Sequence, residues 1–489
     1  MAIDLHHLMK DMHPTEDWFK IGWATEEITP SGPVSLFGQY YERVSSHVES
    51  ELMVTACAME SAEAGKHSHS REAIMISIDL LWCTAAMQHA LRARLRARLP
   101  DFDVMKVIVS ASHTHSAPEP STTSDYGELV LRKMTDAAVR AWNSRKPAGI
   151  SNSVGYAVMG HNRRVQYADG STEMYGATDR DDFVGLEGPS DSSIDVIFCW
   201  DDKRQLNGII CNVPCPAQVT ESKYFVSADY WVEVREGLRK AFPHPVFLLP
   251  QCGAAGDLSP RDLPRNYKPP EPDMWDAAGA RMLGKRLFSE IMNCYNEAKT
   301  TVQTDMVFEH TVKHLEIPRR TVSREEYDKS LAIVREIQSR EPAEPGSPNT
   351  AWNRYLDETR TNEQVMKHGP WDNKNSDYGV LRKRELALQQ YDDQQKEPYR
   401  AELHIIRLGD LAFASNPFEL FIDYGFMIKG RSKAIQTILV QLSCDYADYL
   451  PTKRAIEGGG YSGMSTMIGA EGGALLVNET VRLINELFE

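Results

Sequence analysis

Residues 73–120 read AIMISIDLLWCTAAMQHALRARLRARLPDFDVMKVIVSASHTHSAPEP, and this stretch decides the class of fold. Two continuous apolar runs, at 73–81 and 104–111, are typical of strands that are buried on both faces. Between them, leucines and a methionine recur every four residues, which predicts a helix that ends at Pro100. A buried strand, a helix and a second buried strand form the repeating unit of an α/β protein.

The same alternation continues along most of the chain. Residues 319–400 differ, because they are rich in Glu, Lys, Arg and Gln and contain a Pro/Gly break at 341–349. We therefore expect a layered α/β fold in a single domain, 1–489, with a helical insertion at about 319–400. The other predicted strands are 194–200, 206–213 and 246–249, and the other predicted helices are 128–142, 274–298 and 474–488.

Composition excludes some classes of partner. The chain of 489 residues has a net charge of −15, which repels nucleic acid phosphates and anionic membranes. The arginines at 92, 94, 96 and 98 are predicted to form a solvated helix face. No apolar run approaches the ~18 residues of a membrane span, and residues 1–18 do not resemble a secretory signal. The eight scattered cysteines are expected to be free, buried thiols in a reducing cytoplasm.

SHTHSAPEP, at 112–120, is the strongest local signal of a site. His113 and His115 directly follow a buried strand, and side chains two residues apart in an extended chain point to the same side. Two imidazoles that face one pocket can bind a metal or a substrate oxyanion. The alternative is that the two histidines only cap neighbouring loops.

Three further segments carry residues that could take part in chemistry. In QCGAAGDLSPRD, at 251–262, Ser259 could be a nucleophile or a hydrogen-bond donor, although a structural turn is the favoured interpretation. In NVPCPAQVTES, at 212–222, Cys215 could ligate a metal or attack a carbonyl, or it could be an inert buried thiol. In DYADYLPTKRAIEGGGYSG, at 445–463, Tyr449 and Tyr461 lie on either side of a glycine triplet and could ligate a metal, donate to an oxyanion or only pack.

These segments, in this order, resemble the catalytic domain of the neutral (non-lysosomal) ceramidases. HTHSAP resembles that family's HTHSGP, NRR at 162–164 resembles its Asn-Arg element, and GDLSP resembles its GDVSP. YLPT and GGGYSG resemble the family's tyrosine segment, with the same spacing between the two tyrosines. The first predicted strand, IGWATEEITPSGPVSLFGQY, is also similar, so the resemblance covers the chain from about residue 20 to the end.

The resemblance implies a layered ceramidase-like catalytic domain, here without a C-terminal immunoglobulin-like domain, and zinc-dependent amide hydrolysis. By resemblance, the metal ligands are His113, Cys215 and Tyr449. The residues that would hold the amide or its oxyanion, or contact the reacting centre, are His115, Arg163, Ser259 and Tyr461.

Two positions depart from the family pattern. Cys215 stands where the family has its second histidine ligand, and Asn416, in ASNPFEL, stands where it has a glutamate. Cysteine is a good zinc ligand, whereas an amide is a poor one. Glu419 could replace the missing carboxylate only if the backbone turns to present it. A metal-free site with Cys215 as nucleophile and a histidine as base is the competing arrangement.

We expect a hydrolase that cleaves an amide (C–N) bond of a soluble, polar small molecule with an altered zinc site. Neither nucleic acid nor a membrane is expected as a partner, and a homo-oligomer is left open. One alternative is an enzyme of the same fold that acts on a sugar derivative or an ester through Cys215 without zinc. Another is a binding protein that has lost catalysis.

Overall fold

The computed structural model describes residues 19–39, 42–61, 71–119, 121–265, 274–344, 347, 349–361 and 376–489. The N-terminal stretch 1–18 and part of the break at 341–349 lie outside these residues. The strands are β1 (Lys20–Glu27), β2 (Ser35–Leu36), β3 (Arg43–Val44), β4 (His47–Val48), β5 (Met53–Glu60), β6 (Glu72–Ile78), β7 (Val107–Ala111), β8 (Lys146–Tyr156), β9 (His161–Asn162), β10 (Arg164–Tyr167), β11 (Thr172–Met174), β12 (Phe183–Leu186), β13 (Ser193–Asp201), β14 (Leu206–Val213), β15 (Phe225–Val226), β16 (Phe247–Cys252), β17 (Leu258–Ser259), β18 (Phe308–Ile317), β19 (Tyr399–Leu408), β20 (Leu411–Ser415), β21 (Glu419–Leu420), β22 (Gln436–Val440) and β23 (Tyr449–Leu450). The helices are α1 (Ala85–Arg98), α2 (Asp125–Asn143), α3 (Trp231–Ala241), α4 (Ala277–Ala298), α5 (Arg324–Ser339), α6 (Ala351–Thr361), α7 (Asp377–Asp393), α8 (Ile422–Lys429), α9 (Lys453–Gly458), α10 (Tyr461–Met464) and α11 (Gly472–Leu487).

Two sheets form the centre of the molecule. The larger has eight strands in the order β16-β14-β13-β8-β1-β5-β6-β7, and the smaller has four in the order β18-β19-β20-β22. Most neighbours are antiparallel, but each sheet ends in parallel pairing: β6 with β7, β14 with β16, and β20 with β22. This mixture of directions brings the carboxyl ends of several strands to one edge of the molecule.

Alternation along the strands builds a layered core. In β6, Ile74, Ile76 and Ile78 pack against α1 and α2, whereas Met75 points to the layer between the sheets. That inner layer joins Ile197 and Ile210 of the large sheet to strands β19, β20 and β22 of the small one. Helices α3 and α4 cover the other half of the large sheet, and α11 covers the outer face of the small sheet. The result is the layered α/β fold that the sequence predicts.

The helical insertion lies between two paired strands. Strands β18 and β19 are antiparallel neighbours, with Ile317 opposite Tyr399, and α5, α6 and α7 occur in the chain between them. Because the insertion leaves and returns at one end of a strand pair, the sheet register continues undisturbed beneath it. Along the described part of the chain, no helix combines the length and the apolar character needed to cross a membrane.

Some sequence expectations change in detail. All eight cysteines are buried and unbridged, as predicted. Helix α2 begins at Asp125, earlier than predicted, because the Ser124 hydroxyl caps it by accepting a hydrogen bond from the N–H of Gly127. Residues 104–106 form a 3₁₀ turn rather than the start of β7. The prediction of a solvated arginine face is wrong for Arg92, which is buried and forms a bidentate ion pair with Glu402.

Gly22, in β1, lies where helix α2 packs most closely on the sheet. A Cβ at Gly22 would collide with the carbonyl oxygen of Ala141, whereas a Cβ at Gly32 would meet nothing within 4 Å. We expect Gly22→Ala to lower the free energy of unfolding by about 1–3 kcal/mol, and Gly32→Ala by less than about 0.5 kcal/mol. Urea unfolding of both variants measures this, and equal stabilities would contradict the packing described here.

Candidate active site

His113 lies just beyond the carboxyl end of β7, in a loop with unusual backbone geometry. Its φ of 61° places it in the left-handed region, which is uncommon for a residue other than glycine. The ring Nδ1 donates to the carbonyl oxygen of Leu81 at 2.7 Å. In the neutral imidazole this leaves Nε2 without a proton. Nε2 lies 3.5 Å from Oε2 of Glu419, and both side chains are buried.

A tight turn presents Glu419 to His113. The side-chain oxygen of Asn416 accepts a hydrogen bond from the N–H of Phe418 at 3.1 Å, which closes the turn. Beyond it, β21 pairs in parallel with β23, so that Glu419 lies opposite Tyr449. Glu419 therefore reaches the site, while the Asn416 side chain is used within its own loop. The sequence left this choice open and placed Asn416 at the carboxylate position of the family pattern.

Tyr449 completes a cluster of three groups with His113 and Glu419. Tyr449 lies opposite Glu419 in the pair of β21 and β23, and its hydroxyl accepts a hydrogen bond from Arg163 at 3.1 Å. Burial raises the pKa of Tyr449 far above its usual value, and the charge of Glu419 raises it further. The ring of Tyr461 lies edge-on to that of Tyr449, with 5.6 Å between the ring centroids.

Arg163 is the buried cation of the site. Its guanidinium donates to the carbonyl oxygen of Gly256 at 2.8 Å and lies 3.6 Å from Oε2 of Glu419. Burial alone would lower the pKa of Arg163, but Tyr449, Tyr175 and Glu419 outweigh burial and hold this pKa above its usual value. The backbone N–H of Arg163 donates to the carbonyl of Asp257, which ties the arginine to the turn after β16.

His115 is a neutral hydrogen-bond acceptor beside His113. The two rings have centroids 4.9 Å apart, and Nδ1 of His115 lies 3.1 Å from the carbonyl oxygen of Gly38. Burial lowers the pKa of His115 well below its usual value, and His113 and nearby arginines lower it further. The Nδ1–H therefore donates to Gly38, and the buried Nε2 has no hydrogen-bond partner among the described residues.

The segment after β14 gives the site a polar wall. The amide of Gln218 donates to Tyr175 at 2.9 Å and to Glu221 at 3.1 Å. Arg261 pairs with Glu221 at 2.7 Å and lies flat on the ring of Trp275, 3.2 Å from its centroid. These groups are almost completely buried, so their charges are matched within the protein rather than by water.

Two of the residues singled out in the sequence point elsewhere. The Cys215 thiol is fully buried and donates to the carbonyl oxygen of Met159 at 3.3 Å. Burial raises the pKa of Cys215 well above its usual value, which opposes the free thiolate that a nucleophile requires. The Ser259 hydroxyl is also fully buried and accepts a hydrogen bond from the N–H of Arg261, so it closes the turn that carries Arg261.

Contacts therefore link five of the seven residues chosen from the sequence: His113, His115, Arg163, Tyr449 and Tyr461. Sequence reasoning assigned no role to Gln218, Glu221 or Arg261. Glu221 follows Gln218 by three residues, and this spacing within a loop carries no recognisable signal. The Pro-Phe-Glu order at 417–419 could have pointed to Glu419 as the carboxylate.

Comparison with known proteins supports the fold. No family model matches the chain, and a search of curated proteins finds no match either. Among solved structures, the chain superposes on neutral ceramidase from Pseudomonas aeruginosa with a TM-score of 0.67 and 17% identity, covering 96% of this chain and 75% of that one. A ceramidase complexed with C2 gives a TM-score of 0.67 and 16% identity, covering 97% and 76%.

The chain has the fold of a neutral ceramidase. This agrees with the layered fold that the sequence motifs imply. At such low identity the similarity establishes the fold alone, so the chemistry of the site is argued from the residues of this chain.

The Cys215 thiol should be unreactive in the folded protein. Because it is buried and hydrogen bonded to a carbonyl, we expect negligible alkylation by iodoacetamide, both before and after treatment with a chelator. Full alkylation should follow in denaturant, and peptide mass spectrometry would locate the modified cysteine. Alkylation of Cys215 that appears only after chelation would instead identify it as a metal ligand.

Asp257 should make stability depend on pH. It accepts hydrogen bonds from Asn162 and from the N–H of Ile422, and burial raises its pKa to about 6. An aspartate in the unfolded chain has a pKa of about 3.9. The stabilising contribution of the protonated form is therefore complete below about pH 4 and is lost as the pH rises through about 6.

Asp257→Asn should remove this loss. We expect the free energy of unfolding of the variant, minus that of wild type, to be about 1–3 kcal/mol larger at pH 7 than at pH 4. Urea unfolding across this range measures it, and the exposed Asp410, replaced by Asn, is the control. A difference between variant and wild type that stays constant with pH would show that Asp257 does not titrate there.

Proposed function

We propose that the chain is a hydrolase that cleaves an amide bond of a polar small molecule, with a zinc ion bound by His113, Glu419 and Tyr449. The observation that carries this proposal is the buried contact of Nε2 of His113 with Oε2 of Glu419 at 3.5 Å. Because the Nδ1–H of His113 is committed to Leu81, an acceptor nitrogen faces an acceptor carboxylate. A cation between them would satisfy both groups.

The donor set fits zinc. An imidazole nitrogen and a carboxylate oxygen are common zinc ligands, and catalytic zinc sites use three protein ligands with one open position. The hydroxyl of Tyr449 supplies the third atom, because Tyr449 lies opposite Glu419 and both side chains contact Arg163. When bound, zinc would polarise a carbonyl group and lower the pKa of water at the open position. Glu419 replaces Asn416 in this set, and Cys215 is left out of it.

The remaining groups suit the handling of an amide. Nε2 of His115 is a buried acceptor with no partner among the described residues, so it can accept a proton or a hydrogen bond from the reacting group. Arg163 and Tyr461 both contact Tyr449, and their donors could stabilise an oxyanion there. Ser259 would act only by holding the turn of Arg261.

The polar wall favours a polar substrate. Gln218, Glu221 and Arg261 form a buried hydrogen-bonded network beside Arg163 rather than an apolar groove for an acyl chain. The side-chain amide of Gln39, next to the Gly38 carbonyl that binds His115, is buried without a partner in the described part of the chain. Such groups discriminate strongly against molecules that cannot hydrogen bond with them. We therefore propose a small polar N-acyl compound as substrate, with neither nucleic acid nor membrane as partner.

The test compares two side chains in one turn. We expect Glu419→Gln to lose bound zinc and to lower kcat/KM by more than about 100-fold, beyond the cost of removing a group that merely supports a ligand. Asn416→Asp is the matched control, because it keeps the acceptor for Phe418 and should leave zinc content and activity unchanged. Zinc analysis and a panel of short N-acyl amides, with ceramide in detergent micelles for comparison, provide the measurements.

Other outcomes would select other functions. A zinc content that is unaffected by Glu419→Gln but increased by Asn416→Asp would identify residue 416, rather than Glu419, as the position of the carboxylate ligand. Activity without metal that is abolished by Cys215→Ser would favour the thiol nucleophile. A folded protein with no zinc and no hydrolysis of any amide or ester would favour a binding protein.

A further inference from the structure

A second cluster of ligand-type side chains lies away from the candidate active site. Strand β19 carries Glu402 and His404, which are two residues apart and therefore share one face of the strand. Cys444 approaches them from the loop after β22. Nε2 of His404 lies 2.8 Å from Oε1 of Glu402 and 3.6 Å from Sγ of Cys444. One ligand atom from each of the three residues lies within 4.8 Å of the others.

The hydrogen bonds around His404 fix which nitrogen carries a proton. Nδ1 of His310 lies 2.9 Å from the carbonyl oxygen of Glu72, so this nitrogen must be the donor. In a neutral His310, Nε2 is then an acceptor, and it lies 2.9 Å from Nδ1 of His404. Nδ1 of His404 must therefore carry the proton. The other nitrogen of a neutral His404 directs a lone pair at the Glu402 carboxylate.

Glu402 cannot supply the missing proton. Arg92 donates to both of its oxygens, at 2.8 Å and 2.5 Å. This buried bidentate ion pair keeps the Glu402 carboxylate ionised. Two acceptors therefore lie at hydrogen-bonding distance from each other, and a proton or a metal ion between them would satisfy both.

The third ligand atom favours a metal ion over a proton. A proton between His404 and Glu402 would be shared by these two side chains alone, whereas the Cys444 sulfur lies 3.6 Å from the same Nε2 of His404. Thiolate is a preferred ligand of zinc, and His404 and Cys444 are both buried.

We propose that Glu402, His404 and Cys444 bind a second divalent transition-metal ion, for which Zn²⁺ is the best match. Nitrogen, oxygen and sulfur together suit this ion better than Mg²⁺ or Ca²⁺, which prefer oxygen alone. Binding releases the thiol proton of Cys444 and any proton shared by the two histidines. The ion's two charges replace those two protons, so the net charge of the buried cluster does not change.

The geometry needs only a small adjustment. Metal–ligand bonds of about 2.0–2.3 Å in a tetrahedron place ligand atoms roughly 3.3–3.7 Å apart. The nitrogen–sulfur distance of 3.6 Å already matches, and the nitrogen–oxygen distance of 2.8 Å must widen by roughly 0.5 Å. His310 holds the ring of His404, and Arg92 holds Glu402, as hydrogen-bond partners of metal ligands commonly do.

Such an ion would also brace the active-site loop. Cys444 has a φ of 64°, and its N–H donates to the carbonyl oxygen of Val109 in β7. The next residue, Asp445, accepts hydrogen bonds from the N–H of Ala85 and from the hydroxyl of Tyr399. The same loop continues into Tyr449. The second ion would therefore hold the segment that carries one proposed zinc ligand.

Cobalt(II) distinguishes the two sites, because only the second contains a thiolate. The full-length chain is stripped with a chelator and titrated with Co²⁺. We expect a near-ultraviolet thiolate-to-cobalt absorption band whose final amplitude corresponds to one thiolate-bound ion per chain, both in wild type and in Glu419→Gln. The band should disappear in Cys444→Ala and persist in the matched cysteine variants Cys83→Ala and Cys215→Ser. His404→Gln, which keeps the thiol, should also abolish it.

Zinc content separates failure of this proposal from failure of the proposed function. Two zinc ions per wild-type chain, falling to one in Cys444→Ala and to one in Glu419→Gln, support both sites. If wild type binds one zinc ion per chain and only Glu419→Gln loses it, the second site is overturned. If wild type binds one zinc ion and only Cys444→Ala loses it, the first site is overturned. Absence of the cobalt band in folded wild type, or its loss in Cys215→Ser instead of Cys444→Ala, also overturns the second site. Thermal unfolding shows which variants are folded.

Discussion

The arrangement of the candidate site depends on one buried carboxylate, that of Glu419. Three segments that are distant in sequence converge on it: His113 after β7, Arg163 after β9, and Tyr449 in β23. A carboxylate removed from water is costly unless opposite charge and hydrogen-bond donors surround it. Its burial therefore requires all three segments to be in place, so folding of the core and assembly of the site are coupled.

The layered core explains why these segments meet. The loops of the site follow β7, β14, β16, β20 and β22, and each of these strands belongs to a parallel pair. Parallel pairing directs the carboxyl ends of neighbouring strands to the same edge, where loops are free to carry function. The loops are also strained: His113, Leu442, Cys444 and Asp448 have positive φ values without being glycine. Such strain persists only where the surrounding structure enforces it.

The site and the Glu402–His404–Cys444 cluster follow the same electrostatic pattern. In each, a histidine nitrogen is committed to a backbone carbonyl or to a second histidine, and its other nitrogen faces a carboxylate that an arginine also contacts. The arginine contributes positive charge beside each carboxylate, and in the tautomer described the neutral histidine ring has no N–H to donate to that carboxylate. The two clusters lie at opposite ends of the loop from Cys444 to Tyr449, which joins the edge of the small sheet to the site.

Local patterns in the sequence predicted the fold class and most strands and helices. The resemblance of short motifs to neutral ceramidases pointed to five residues that contacts link in the structure: His113, His115, Arg163, Tyr449 and Tyr461. These features depend on hydrophobic periodicity and on short motifs, which a linear sequence displays directly. The structural comparisons agree with the fold.

Only the tertiary structure decided whether Asn416 or Glu419 reaches the site, where the Cys215 thiol points, and whether Arg92 is buried or solvated. Each depends on a partner far along the chain: Tyr449 opposite Glu419, Met159 beside Cys215, and Glu402 beneath Arg92. A turn of three residues can rotate a side chain into a pocket or away from it at similar local energy. The choice is then made by the distant groups that satisfy its charge and hydrogen bonds, and their proximity is a property of the folded chain.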